Sequence, residues 1–348
     1  MNARVYMDWN ATAPLRPEAR AAMIAAMDVV GNPSSVHAEG RAAKAIVERA
    51  RGQIKDAFGA GSAEIAFTSG ATEAAALVLA GNDIQAAGME HDCVSVWADQ
   101  TLHADANGLV NGIAPVKSAL QAANSETGVV QKLPEGLFLS DYVQAFGKIP
   151  CAFDWAGVIF ALLSAHKLGG PKGVGALVLK EGIEFTPRIK GGGQEMGRRS
   201  GTENVIGIAG FGGAAEAAAK DLANGVWDQV AELRNYLEER IIELAPDVII
   251  FGKDVKRLPN TSNFAIPGWK GETQVMQMDL AGYAISAGSA CSSGKVKASR
   301  VLQAMGFDDI TSSSAIRVSL GPTNTKDQID GFVSDWGKAY TKFRAKAA

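Results

Sequence analysis

Short apolar runs alternate with helix-length periodic segments along this chain, and that alternation is the strongest constraint on its fold. It is the pattern of a mostly parallel α/β sheet whose strands are joined by helical crossovers. Pro17 stands where a helix would start, and Ala21, Ile24, Ala25 and Val29 follow at helical spacing. Ala42 to Phe58 repeats the pattern, with Ile46, Val47, Ala50, Ile54 and Ala57 on one face and Gly59 as its stop. Strands are predicted at Glu64–Thr68, at Gly136–Leu139 running to Asp141, and at Gly175–Leu179. After Trp227 the texture changes. A charged amphipathic helix (Val230, Leu233, Leu237, Ile241, Leu244) leads to strands at Val248–Phe251, Ser262–Ile266, Ala284–Ala287 and Ala315–Val318. A last helix is predicted from Thr325. A length of 348 residues accommodates two domains at ~100–200 residues each. The expected division is 16–224 and 225–348, with 1–15 packing on the second.

Charge and cysteine usage exclude several classes of function. The net charge is −3 and no long basic run occurs, which argues against a nucleic-acid or anionic-membrane partner. Cys93, Cys151 and Cys291 are far apart and odd in number, which fits a reducing compartment and rules out a disulfide scaffold. No two cysteines have CxxC spacing and His37, His91, His103 and His166 are scattered, so no metal is expected. The N-terminal segment lacks the apolar core of an export signal, and the longest apolar stretch, Gly157–Leu163, is too short for a bilayer. A cytoplasmic protein is expected. Glycine is the one excess, at 39 residues, and surplus glycine suits loops where backbone approaches a ligand.

Four segments could carry chemistry. In Thr68–Glu73 a strand ends, a glycine turns the chain and a helix opens, which can cradle phosphate on unpaired amides or be an ordinary Ser/Thr N-cap. In Ser164–Gly175 a lysine, Lys167, follows an apolar run and precedes a glycine-rich loop. A desolvated lysine can bond covalently to an aldehyde cofactor, whereas most lysines in turns are simply solvated. Asp141 closes an apolar strand, where open α/β sheets bind ligands and where a carboxylate can also be a loop cap. Cys291 sits among Gly288, Ser289, Ala290, Ser292, Ser293 and Gly294, a setting that suits an exposed nucleophile better than a core thiol.

Taken together these segments resemble the class V aminotransferase family of pyridoxal-phosphate enzymes, and within it the cysteine desulfurases. The matching motifs are Asp8–Pro14, Gly31–His37, Ser69–Glu73, Glu90-His91, Asn124–Gln131, Asp141–Gln144, Ser164–Lys167, Gly191–Gly193 with Arg199–Thr202, Gly288–Ser292 and Ile316–Gly321. They stand in family order across nearly the whole chain.

The resemblance implies an α/β fold of the aspartate-aminotransferase type (fold type I), a large mostly parallel sheet domain plus a smaller α+β C-terminal domain. It implies pyridoxal 5'-phosphate as cofactor, with Lys167 holding it covalently and shuttling a proton. Asp141 would pair with the ring nitrogen, Gln144 would reach the ring hydroxyl, and His91 would stack on the ring and act as acid/base. The phosphate would take Ala71, Thr72, Ser164 and His166, with Thr202 supplied by the partner subunit of a homodimer. Arg317 would clamp the carboxylate of L-cysteine, with Asn124 beside it. Cys291 would accept the sulfur as a persulfide, leaving L-alanine, and pass it to a sulfur acceptor or iron–sulfur scaffold protein. Ser125 departs from an Asn-Asn-Glu motif, Ile159 replaces an acid and Ala165 a glycine. The stretches between His91 and Asp141 are shorter than in the family, and no long docking tail is expected after the last helix. Two other readings stand beside this one: another class V aminotransferase or selenocysteine lyase, and a weakly active paralogue that binds sulfur-assembly partners. A mobile thiol at Cys291 separates the desulfurase from a transaminase, which has no use for one.

Overall fold

The computed structural model describes residues 4–288 and 298–347. Strand Gly175–Leu179 lies between Glu64–Thr68 and Phe160–Ser164 and runs antiparallel to both. Phe160–Ser164 pairs in parallel with Leu139–Asp141. Parallel bridges Ala119–Leu139 and Gln85–Ser118 then lead to Gln85–Ala87, which is parallel to Asp99–Leu102. One reversed strand therefore interrupts an otherwise parallel sheet, as the alternating pattern predicts. Phe160–Ser164 and Gly175–Leu179 are buried along their whole length, the consequence of helices on both faces of such a sheet. The strand expected from Gly136 begins only at Leu139, because Gly136 turns with φ 79°.

Helices Pro17–Met27 and Ala38–Phe58 both pack on Val205–Ala223. The last is rich in glycine on the facing side. A Cβ on Gly212 would stand 2.7 Å from Ala50 Cα, and one on Gly213 would stand 3.0 Å from Glu18 O. Backbones this close admit only small side chains between them. That corrects the face expected for the first helix: Ala19 and Ala26 are buried, whereas Ile24 and Met27 are 55% and 57% exposed. The face of Ala38–Phe58 follows the prediction more closely, burying Val47, Ala50 and Ile54, and Gly59 ends it in a left-handed cap.

A second apolar cluster joins Met7, Trp227, Leu237, Ile241, Phe264, Ile316, Val318 and Trp336. Its sheet runs in the order Ser286–Ala287, Ala315–Ser319, Thr261–Ala265, Ile249–Ile250, all antiparallel. The strand expected over Ala284–Ala287 is divided in two, because Tyr283–Ala284 pairs instead with Val5–Tyr6. Asp8 bridges to Ser319, so residues 5–12 run along this second sheet before they reach the first one. No helix among the described residues is long and apolar enough to cross a membrane.

Candidate active site

The parallel strands Glu64–Thr68, Leu139–Asp141 and Phe160–Ser164 end on the same side of their sheet, and a cavity of about 620 Å³ opens there. Ala71, Thr72, His91, Asp141, Gln144, Ser164, His166, Lys167 and Arg317 all line it. These residues come from distant parts of the chain, and the topology brings them together. Asn124 and Thr202 do not line this cavity, and Cys291 lies outside the described residues.

One end of the cavity is built for an anion. The helix Ala71–Leu79 starts at Gly70, and no side chain caps its first amides. Glu73 reaches back to accept from the Ser69 amide at 2.8 Å and from Arg199 Nε at 2.8 Å. The opening turn thus lines the cavity with first amides that no side chain caps, which favours the cradle over the Ser/Thr cap. Ser164, His166 and Lys172 line the cavity as well. The His166 ring is within 3.1 Å of Thr12 Oγ1. Burial, helped by Lys167, Lys172 and Lys148, drops its pKa to about 4. At neutral pH it is an uncharged donor or acceptor.

The other end holds buried charge. Asp141 is buried; its Oδ1 accepts from the Val143 amide at 2.8 Å, and desolvation pushes its carboxyl above the usual range. A cation placed beside it would be strongly favoured. Arg317 is buried too, with Nη2 on Asp8 Oδ1 at 2.7 Å and Nη1 on Ser125 O at 3.0 Å. Its Nε has no partner among the described residues. Ser286 Oγ steadies the other oxygen of Asp8 at 2.8 Å. Between the two ends, Lys167 Nζ donates to the carbonyls of Asn10 (2.7 Å) and Ala11 (2.9 Å). His91 caps the short helix Asp92–Ser95, its Nδ1 accepting from the Cys93 amide at 3.1 Å. The proton of a neutral His91 ring is then on Nε2. An aldehyde cofactor with a phosphate and a ring nitrogen fits this donor set: amine, uncapped helix start and buried carboxyl lie around one space.

Asn124 is buried, and its Oδ1 accepts from the amides of Glu126 and Thr127, both at 2.9 Å. It shapes the turn below the cavity. Thr202 is exposed beside an adjoining cavity that shares Ser69 and Gly173 with the first. Cys93 lines the main cavity, and burial drives its thiol pKa far upward, so it is no thiolate. Cys151 is likewise pushed up to about 12. The residues that sequence reading left without a role are Asp8, Asn10 and Lys148. The first two belong to the quoted Asp8–Pro14 motif, and that was the one signal for them.

Comparison with known proteins agrees with this geometry. The family model described as aminotransferase class-V matches residues 5–332. A cysteine desulfurase of Cereibacter sphaeroides is 38% identical over 365 residues, covering 94% of this chain and 93% of that one. Cysteine desulfurase IscS of Dictyoglomus turgidum is 36% identical over 95% of this chain and 93% of its own. Among solved structures, a NifS-like protein from Rickettsia africae superposes with a TM-score of 0.88 at 32% identity, covering 97% of this chain and 99% of that one.

Proposed function

We propose, from the premise that this chain belongs to the class-V aminotransferase family, that it is a pyridoxal-phosphate-dependent cysteine desulfurase. It converts L-cysteine to L-alanine and transfers the sulfur to the Cys291 thiol, which becomes a persulfide. The balance is complete, since one thiol gains one sulfur atom and cysteine becomes alanine. The observation that carries the proposal is the convergence of the Lys167 amine, the buried Asp141 carboxyl and the buried Arg317 guanidinium on one cavity.

When bound, pyridoxal phosphate supplies a ring that draws electrons from the substrate α-carbon. Lys167 anchors it and moves the α-proton. Asp141 would keep the ring nitrogen protonated, Gln144 would reach the ring oxygen and His91 would stack on the ring. The uncapped start of Ala71–Leu79, with Thr72, Ser164 and neutral His166, would hold the phosphate. Arg317 binds the substrate carboxylate; a guanidinium suits a carboxylate in two-point contact. Asp8 keeps that guanidinium in place. The fold divides into a cofactor-binding part, 16–224, and a smaller part, 225–348, to which the first fifteen residues belong. The enzyme acts in the cytoplasm as a homodimer in which Thr202 completes the phosphate site of the second copy. A sulfur acceptor or iron–sulfur scaffold protein takes the sulfur onward.

Incubating the purified protein with pyridoxal phosphate and L-cysteine should release alanine, and mass spectrometry after one turnover should find one added sulfur on Cys291. Absence of alanine, or sulfur found on Cys93 or Cys151, refutes the proposal.

A further inference from the structure

Lys148 is 2% exposed and lies four residues beyond the Asp141–Gln144 motif. Its Nζ donates to Gln144 Oε1 at 2.7 Å and to Asn10 Oδ1 at 2.9 Å. Both partners are amide oxygens and neither is a carboxylate. Burial, joined by the positive charges of Lys167 and Arg317, holds its amine well below the ordinary lysine range. A buried lysine among cations lowers stability, and packing alone does not call for one.

Its surroundings form one network. Asn10 Nδ2 donates to Thr261 Oγ1 (2.8 Å) and Ser125 O (3.1 Å), and Asn260 Nδ2 donates to Asn10 Oδ1 (3.0 Å). Gln144 Nε2 donates to the backbone carbonyl of Asn10 at 3.0 Å, the same oxygen that receives Lys167 Nζ at 2.7 Å. A side-chain amide can rotate to exchange its oxygen and nitrogen ends, and its neighbours decide which end faces where. Because Lys148 donates to both amide oxygens, Gln144 turns its NH₂ end to the Asn10 carbonyl and keeps one further N–H for a partner.

We propose that Lys148 is a positioning residue of this site. By holding the oxygen ends of Gln144 and Asn10, it sets the amide that lines the cavity and the carbonyl that receives the Lys167 amine. The inference rests on the reading of Lys167 and Gln144 as cofactor-binding groups. It acts through them and touches no substrate.

The test is Lys148→Met in the full chain loaded with pyridoxal 5'-phosphate. Methionine fills a similar volume without an amine, so the thermal midpoint should stay or rise. The visible absorption maximum of the bound cofactor should move, and the cofactor should leave at least threefold faster on dilution. Turnover of L-cysteine should drop at least fivefold in kcat while KM stays within about twofold. Combining Lys148→Met with Gln144→Ala should be no worse than the more severe single variant, since both act through one amide. Should the methionine variant fail to fold, Lys148→Gln is read by the same criteria. An unchanged spectrum, release rate and kcat would overturn the inference. So would effects that multiply in the double variant, or losses that merely follow a fall in thermal midpoint. A parent protein that binds no pyridoxal phosphate refutes the reading of the site and takes this inference with it. An active parent with an indifferent Lys148→Met refutes the inference alone.

Discussion

The cavity wall and the segment 194–203 both hold the chain in unfavourable states, one through buried charge and the other through backbone angles. In the wall no non-glycine residue has a positive φ, while Asp141, and Lys148 bonded to the wall residue Gln144, are buried without an opposite charge bonded to them among the described residues. In the segment the two buried charged residues, Glu195 and Arg198, are both ion-paired. Glu195 takes a two-point contact from Arg51 (2.9 and 3.1 Å) and a third bond from the Phe67 amide. Arg198 pairs with Glu64 and Glu184, and Arg199 with Glu73. What is unfavourable there is φ 48° at Glu195 and 58° at Met196, the two non-glycine residues with positive φ among those described. The difference teaches where relief is harmless. Neutralising a wall charge removes a cost that the chemistry needs, whereas relaxing the segment's backbone removes a cost that ion pairs already sustain.

The largest effect is expected in the wall. Lys167→Ala should abolish alanine release and leave no cofactor covalently attached after borohydride reduction, as read by protein mass. Retained turnover would end the assignment of this amine. Asp141→Asn keeps the shape and removes the charge, so cofactor should still bind while turnover falls on the order of a hundredfold. If alanine release by this variant matched the parent, Asp141 would be only the cap that accepts from Val143, and the contrast with the segment would lose its chief support.

Legibility differs between these regions as well. Glu64–Thr68 and Gly175–Leu179 could be read because an apolar run bounded by turn residues is a local signal. The buried face of Pro17–Met27 could not, since it depends on a glycine surface nearly two hundred positions away on Val205–Ala223. Lys167 and Asp141 were likewise readable from their neighbours, each at the end of an apolar strand. The long-range contacts around them were not: Asp8 meets Arg317 across 309 residues, and Lys148 meets Asn10 across 138. No local periodicity encodes such a pair, which exists only once both sheets have formed. The angles of Glu195 and Met196 also lack a local sign, because neither is a residue type that favours the left-handed region.

A smaller effect concerns a buried carboxyl next in sequence to the wall residue His91. Glu90 is 1% exposed, accepts from the Gln121 amide through Oε1, and has no partner for Oε2 among the described residues. Burial pushes its pKa up from 4.5 to about 8. The folded state therefore keeps a proton that the unfolded chain has lost, and stability declines as pH rises from the unfolded value through the folded one. Glu90→Gln removes this term. Urea midpoints measured at pH 5, 7 and 9 should fall with pH in the parent and fall less in the variant, with the widest gap at pH 9. Parallel lines for the two proteins would show that this carboxyl is not the source of the decline.

The smallest effect tests the segment itself. Met196 has φ 58° and ψ 33° and is 63% exposed, so its side chain contributes little packing. A left-handed backbone costs a non-glycine residue about 1 kcal/mol, and glycine adopts it without that penalty. Glycine also gives the unfolded chain more freedom, which offsets part of the gain. Met196→Gly should thus raise stability by about 0.5 kcal/mol, seen as a higher urea midpoint at unchanged slope. Turnover should stay within about twofold of the parent, because the ion pairs of Glu195 and Arg199 remain to hold the loop. Glu195→Gly is the useful contrast: it relieves the neighbouring angle but deletes the carboxylate that Arg51 and the Phe67 amide need, so stability should drop. A Met196→Gly protein that is more stable yet much slower would place this strain in the chemistry, and the two regions would then differ in means but not in purpose.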